Sequence, residues 1–168
     1  MSHPDPRAAP GTAEVPSGGA CRAEWGTPPL VGAGPKLSRA RSGDDVTQPA
    51  RSVEQTVADY IASWNEVDPA RRAELIAAVW QADGHYLDPM TEVVGRQRIE
   101  AMIAGLHQQL PDCAFTLVGP LQQHHDVARF RWRLGPAGGA TVVSGLDVAF
   151  FAADGRLRRL VGFFDEPA

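Results

Sequence analysis

Val127-Ala128-Arg129-Phe130-Arg131-Trp132-Arg133-Leu134 is the stretch on which the fold turns. Its apolar residues Ala128, Phe130, Trp132 and Leu134 take every second position, and Arg129, Arg131 and Arg133 fill the places between. Side chains alternate across a strand, so this segment reads as a β-strand with one face on a core and the other in water. The chemistry continues on both sides. Cys113–Leu121, Thr141–Phe151 and Leu157–Phe164 are rich in Val, Leu and Phe. Gly119-Pro120, Gly135-Pro136-Ala137-Gly138-Gly139 and Asp154-Gly155 supply the turn signals between them. The second half is therefore an antiparallel meander.

Upstream the period changes from two to between three and four. Val53, Val57, Tyr60, Ile61 and Trp64 form one helical stripe, introduced by Ser52-x-x-Gln55 as a capping box. Asp68-Pro69 restarts a helix, with an acidic N-cap and Pro at its first position. Leu75, Ile76, Val79 and Trp80 face inward, Asp83-Gly84 ends the helix, and His85–Asp88 is a short strand closed by Pro89. A third helix follows Gly95, carries Ile99, Met102, Ile103, Leu106 and Leu110 on one side, and stops at Pro111. Helices first and strands after predict an α+β domain, with three helices laid on one face of a sheet.

Composition divides the 168 residues at about position 50. Residues 1–50 hold eight of the 14 prolines and seven of the 17 glycines, with few large apolar residues and no period. Such a stretch buries too little apolar surface to offset ordering, so 1–50 is expected to be a disordered tail and 51–168 the folded domain. No run approaches the roughly 18 apolar residues of a membrane span. The beginning lacks a basic segment followed by an apolar one, and the two cysteines, Cys21 and Cys113, make neither a disulfide framework nor a thiolate zinc site. A cytoplasmic setting with reduced thiols is the expectation. A net charge of −4 offers no footprint for nucleic acid.

Thr141–Phe151 is apolar on both faces. Helices cover one side; the other is expected to meet a second copy of the sheet, making a homodimer. Within this strand Asp147 stands between Leu146 and Val148. An ionised carboxylate there needs a partner or must take up a proton. It is either a paired structural group or a neutral acid donating into a pocket. Asp88, before Pro89, is held extended at a strand end; Tyr60 lies on the first helix's apolar stripe, where a hydroxyl needs a partner. His85, His107 and His124-His125 lack metal-ligand spacing, so no metal site is expected.

These residues together carry a resemblance. Tyr60-Ile61-Ala62-Ser63-Trp64-Asn65-Glu66-Val67-Asp68, Tyr86-Leu87-Asp88-Pro89 and Thr141-Val142-Val143-Ser144-Gly145-Leu146-Asp147 resemble three segments of the ketosteroid isomerases, within the nuclear transport factor 2-like and SnoaL-like group. The resemblance spans residues 53–165 and implies a conical α+β fold with three helices on a curved antiparallel sheet. It implies Asp88 as catalytic base, with Tyr60 and a protonated Asp147 as the two donors to an enolate oxygen, the mechanism for which those isomerases are a standard example of pKa tuning. It implies no cofactor and a small hydrophobic, steroid-like substrate. Trp64, Trp80, Tyr86 and Phe130 are its expected pocket walls, together with Trp132, Ala149 and Phe163. A SnoaL-like polyketide cyclase, an epoxide hydrolase and a non-catalytic binding module are the alternatives on the same fold.

Overall fold

The computed structural model describes residues 51–165, so the tail expected over 1–50 and the last three residues of the expected domain lie outside the described residues. Along the chain run α1 (Val53–Asn65), α2 (Pro69–Val79), β1 (Trp80–Leu87), β2 (Glu92–Val94), α3 (Arg96–Gln109), β3 (Cys113–His124), β4 (Val127–Pro136), β5 (Val143–Phe151) and β6 (Leu157–Phe164). The six strands form one sheet in the order β2-β1-β6-β5-β4-β3. Every neighbouring pair is antiparallel except β1 and β6, which run parallel. This α+β arrangement is the one expected, with one change: the early strand lies inside the sheet, against the last one.

Local chemistry sets the helix ends. Ser52 accepts a hydrogen bond from the Gln55 backbone N–H, and Asp68 accepts one from the Arg71 N–H. The return half of the expected capping box is not made, because the Gln55 amide donates to Asp59 instead. α2 stops at Val79, four residues before Asp83. Trp80 already has an extended backbone, and β1 runs through Asp83-Gly84, with its register against β6 shifting between Trp80 and His85. Gly119-Pro120 likewise lies inside β3, at a register shift between Val118 and Gln122. β3 is an edge strand, where a proline that cannot donate to a ladder and an irregular register are tolerated. β2, three residues long, carried no strand pattern in the sequence.

One face of the sheet is covered. α1 buries Val57, Tyr60, Ile61 and Trp64, α2 buries Ile76 and Val79, and α3 buries Ile99 and Ile103. They meet Phe130, Trp132 and Leu134 of β4, Ala149 and Phe151 of β5 and Leu160 of β6. Each large side chain so enclosed contributes about 2 kcal/mol of transfer free energy. Polar ties fix the position of α1. Thr56 donates to the Gly155 carbonyl, and the Asn65 amide both donates to and accepts from the Phe115 backbone. His107 Nε2 lies 2.8 Å from the Trp64 carbonyl, a helix-end acceptor that an N–H satisfies. Arg72, a buried cation outside the apolar pattern, spans α2 to Glu100 on α3 and to the Glu66 carbonyl. The opposite face of the sheet carries Leu146, Val148 and Val161, half-buried, and Phe163, 52% exposed.

Candidate active site

Asp147 lies mid-strand in β5, opposite Phe130 on β4 and Gly162 on β6, and is 3% exposed. Both its oxygens are engaged. The Tyr60 hydroxyl donates to Oδ2 at 3.0 Å, and the Trp132 indole N–H donates to Oδ1 at 2.8 Å. Gly145 makes the second bond accessible. It pairs with Trp132 across β4 and β5, and a Cβ there would lie 2.6 Å from the indole ring, closer still to the Phe163 carbonyl. Without that carbon the ring lies across β5 towards Asp147, two residues on.

Burial pushes the Asp147 carboxyl up to about 7; the charge of Asp88 adds to the rise, and the two donors oppose it. Burial also drives the Tyr60 hydroxyl well above its usual range, with the Asp147 charge next in weight. Near neutral pH the tyrosine therefore keeps its proton, while Asp147 stands near the midpoint between its neutral and ionised forms. The Trp64 indole N–H, one turn along α1, is buried without a well-formed hydrogen bond among the described residues, close enough to the Tyr60 hydroxyl to favour its ionised form.

Asp88 follows the end of β1 and is half-buried. Its Oδ1 accepts from the Met90 and Thr91 backbone N–H groups at 2.8 and 2.7 Å, and its own N–H donates to the Thr91 carbonyl, closing the turn that Pro89 begins. Oδ2 accepts from the Tyr86 hydroxyl at 2.8 Å. Tyr86 was expected as a pocket wall; two residues before Asp88, it shares a strand face with it and acts as its donor. That i, i+2 relation was the available signal. Burial, then the Asp88 charge, raises the Tyr86 hydroxyl well above its ordinary value.

The sheet order brings the two carboxylates together. β6 lies between β5 and β1, with Gly162 paired to Asp147 on one side and next along from the Leu87–Val161 pair on the other. Asp147, Gly162 and Asp88 thus stand in a row across three strands on the covered face. Two strand spacings put the aspartate Cα atoms roughly 10 Å apart.

Aromatic rings surround the row. Tyr60 meets Trp64, Trp80 and Phe130 with ring centres 6.1, 6.2 and 5.8 Å away. Trp64 packs on Tyr86 at 5.7 Å and on Phe115 at 5.0 Å, while Trp132 meets Phe115 and Phe164 at 5.3 and 6.0 Å. Trp80 is fully enclosed, beneath Gly84, and belongs to the core more than to a wall. Ala149 is buried on the same face of β5 as Asp147. Phe163 is not part of this group. Strand alternation turns it to the outer face beside Leu146, and Phe164 stands inward instead. Phe115, Phe164 and Gly162 escaped the sequence reading because an edge-strand Phe, a terminal Phe and a strand glycine carry no pattern of their own.

The remaining candidates lie apart. His85 pairs with Glu92, and His124 and His125 sit 3.3 Å from each other at an exposed hairpin. Of the arginine stripe, Arg129 binds Gln122 and Arg131 binds Asp165; Asp126 pairs with Arg158 rather than with a member of that stripe. Among the described residues no group of three or more His, Cys, Asp or Glu is placed to hold a metal ion, and no helix is long and apolar enough to cross a membrane.

Comparison with known proteins agrees with this fold. The family model of the SnoaL-like domain matches residues 57–160. A candidate isomerase of the SnoaL-like family from Agrobacterium tumefaciens is 36% identical, with a TM-score of 0.64 over 67% of this chain and 97% of that one. A nuclear transport factor 2-like protein from Exiguobacterium superposes at 18% identity and TM-score 0.55, over 67% of this chain and 99% of that one. A candidate SnoaL-like polyketide cyclase from Jannaschia does so at 18% identity and TM-score 0.52, over 73% and 92%. These last two likenesses are of fold. No curated protein matches the chain.

Proposed function

The chain belongs to the SnoaL-like family, and from that premise we propose that it catalyses a cofactor-independent proton transfer on a small hydrophobic, steroid-like carbonyl compound. The observation carrying this reading is the row Asp88, Gly162, Asp147, with Tyr60 bonded to the second carboxylate. Asp88 is the base. Two backbone N–H groups hold its Oδ1 and the Tyr86 hydroxyl alone donates to Oδ2, whose remaining lone pair takes the proton from the carbon beside the carbonyl. The electron pair moves into a dienolate. Tyr60, its hydroxyl turned from Asp147 Oδ2, and protonated Asp147 donate to its oxygen and stabilise the charge. Asp88 then returns the proton to the far carbon, giving a conjugated enone with no net change in composition.

Protonation of Asp147 is what turns it into a donor. Its carboxyl titrates near 7, so donor activity holds below that value and declines above it. The same titration favours a second reading, in which Asp147 alone gives and takes the proton as the acid/base of a polyketide-type cyclisation. An epoxide-hydrolase arrangement has less support, since the partners of Asp147 are Tyr60 and Trp132 and not an arginine. We propose further that two copies associate through the outer face of the sheet, around Leu146, Val148, Val161 and Phe163.

The test is an ultraviolet assay of the full chain with a β,γ-unsaturated 3-ketosteroid, following formation of conjugated enone. Asp88→Asn is expected to abolish turnover, and Asp147→Ala to lower it about 10²–10³-fold. A folded wild-type protein without turnover on this substrate overturns the isomerase reading and favours the cyclase one.

A further inference from the structure

One hydrogen-bond donor beside the two carboxylates is left over. The Tyr60 hydroxyl is engaged by Asp147 Oδ2, the Trp132 indole by Oδ1 and the Tyr86 hydroxyl by Asp88 Oδ2. The Trp64 indole N–H is buried and makes no well-formed hydrogen bond among the described residues. Its ring packs on Tyr60 at 6.1 Å and on Tyr86 at 5.7 Å, against a donor of each carboxylate. The N–H lies near enough to the Tyr60 hydroxyl to act on its ionisation. A buried donor without an acceptor is destabilising, and native folds keep few of them. The Trp80 N–H is in the same state, but that ring is fully enclosed, beneath Gly84, where no ligand reaches it. Trp64 instead stands where a substrate oxygen supplies the missing acceptor.

We infer that Trp64 is more than an apolar wall: its indole N–H donates to the substrate's carbonyl oxygen beside Tyr60 and gives the ketone its first hold in the site. The inference rests on the proton-transfer reading of the two carboxylates. An oxygen brought to the Tyr60 hydroxyl comes within reach of the N–H next to it. The other two donors are not free on arrival. Tyr60 must leave Asp147 Oδ2, and Asp147 donates only while it is protonated. The Trp64 N–H gives up no hydrogen bond of the protein, so the bond it forms is not offset by one lost. A ketone oxygen offers two lone pairs, which Trp64 and Tyr60 fill, and the dienolate oxygen offers a third to Asp147. Asp147 thus engages as charge develops, where a donor accelerates the reaction, while Trp64 serves binding.

The experiment titrates the full chain with 2-tetralone, whose one polar atom is a carbonyl oxygen, and with tetralin, the same two rings without it. Proton–nitrogen NMR follows the indole N–H groups; the chain has four tryptophans, and the Trp64 peak is the one lost in Trp64→Phe. In the wild type that peak is expected to move downfield with 2-tetralone and not with tetralin. Trp64→Phe is expected to weaken 2-tetralone binding about fivefold beyond its effect on tetralin, which registers the lost ring area alone. A wild-type Trp64 peak indifferent to 2-tetralone overturns the donor. Equal losses for both compounds in a folded variant overturn it too and leave Trp64 an apolar wall. In either case enone formation that still needs Asp88 and Asp147 keeps the proton-transfer reading. A downfield Trp64 peak in a protein that forms no enone upholds the donor and overturns proton transfer alone. A wild type that binds neither compound overturns both.

Discussion

Replacing Asp147 by Asn should change how stability depends on pH, by an amount the structure supplies. The amide is close to isosteric. Its oxygen accepts from the Trp132 indole as Oδ1 does now, and its NH2 donates to the Tyr60 oxygen, so both links persist in altered polarity. Only the titration is lost. In the wild type, burial moves the carboxyl from its ordinary 3.8 to about 7. Between those values the unfolded chain has released this proton and the folded chain still holds it. The folded state binds more protons, so the contribution of Asp147 to stability is most favourable below about pH 4, declines as pH rises, and levels off above about 7. About three pKa units at roughly 1.4 kcal/mol each make the decline on the order of 4 kcal/mol. Urea unfolding of both proteins between about pH 4 and 8 measures it. Asp126, Asp154 and Asp165, whose carboxyls are held low, titrate alike in both chains and cancel in the difference. The Asn variant is expected to gain steadily on the wild type up to about pH 7 and then run parallel. A difference that stays flat across the range would refute the claim that Asp147 ionises against its surroundings.

Three further outcomes follow from the same contacts. Trp132→Phe removes the donor on Asp147 Oδ1, so the carboxyl is expected to titrate above 7, read from the pH dependence of its carbon-13 resonance; an unchanged or lower value contradicts the role given to the indole. Arg72→Ala leaves Glu100 and the Glu66 carbonyl without their buried cation and should cost about 3 kcal/mol in chemical unfolding, against well under 1 for Arg71→Ala on the exposed side. Phe163→Arg places charge at the centre of the outer apolar face, and sedimentation is expected to show a dimeric wild type and a monomeric variant; a monomeric wild type at tens of micromolar removes the dimer proposal.

The sequence by itself determined the element types and the covered face, because both depend on periods that local geometry imposes. The alternation in β4 separated Phe130 and Trp132 from the arginines, and the stripe on α1 placed Tyr60 inward. Ser52 and Asp68 marked two helix starts through their own hydrogen bonds. Asp147 drew attention because a carboxylate among strand hydrophobics is costly wherever the strand goes. Boundaries that depend on distant partners were less legible. Asp83-Gly84 and Gly119-Pro120 look like stops, yet both lie inside strands whose neighbours carry them through a register shift.

Only the tertiary structure decided what stands beside Asp147. The parallel pairing of β1 with β6 joins segments some 70 residues apart, and no local period encodes that neighbour. It sets Asp88 one strand beyond Gly162, while the β4–β5 and β5–β6 registers set Trp132 against Gly145 and turn Phe164 inward where Phe163 was expected. A one-residue step along a strand exchanges its faces, so the wall of the site hung on a register that sequence pattern left open by one position. Strand order and register arise from the packing of the whole sheet, and they make two separate acids into one site.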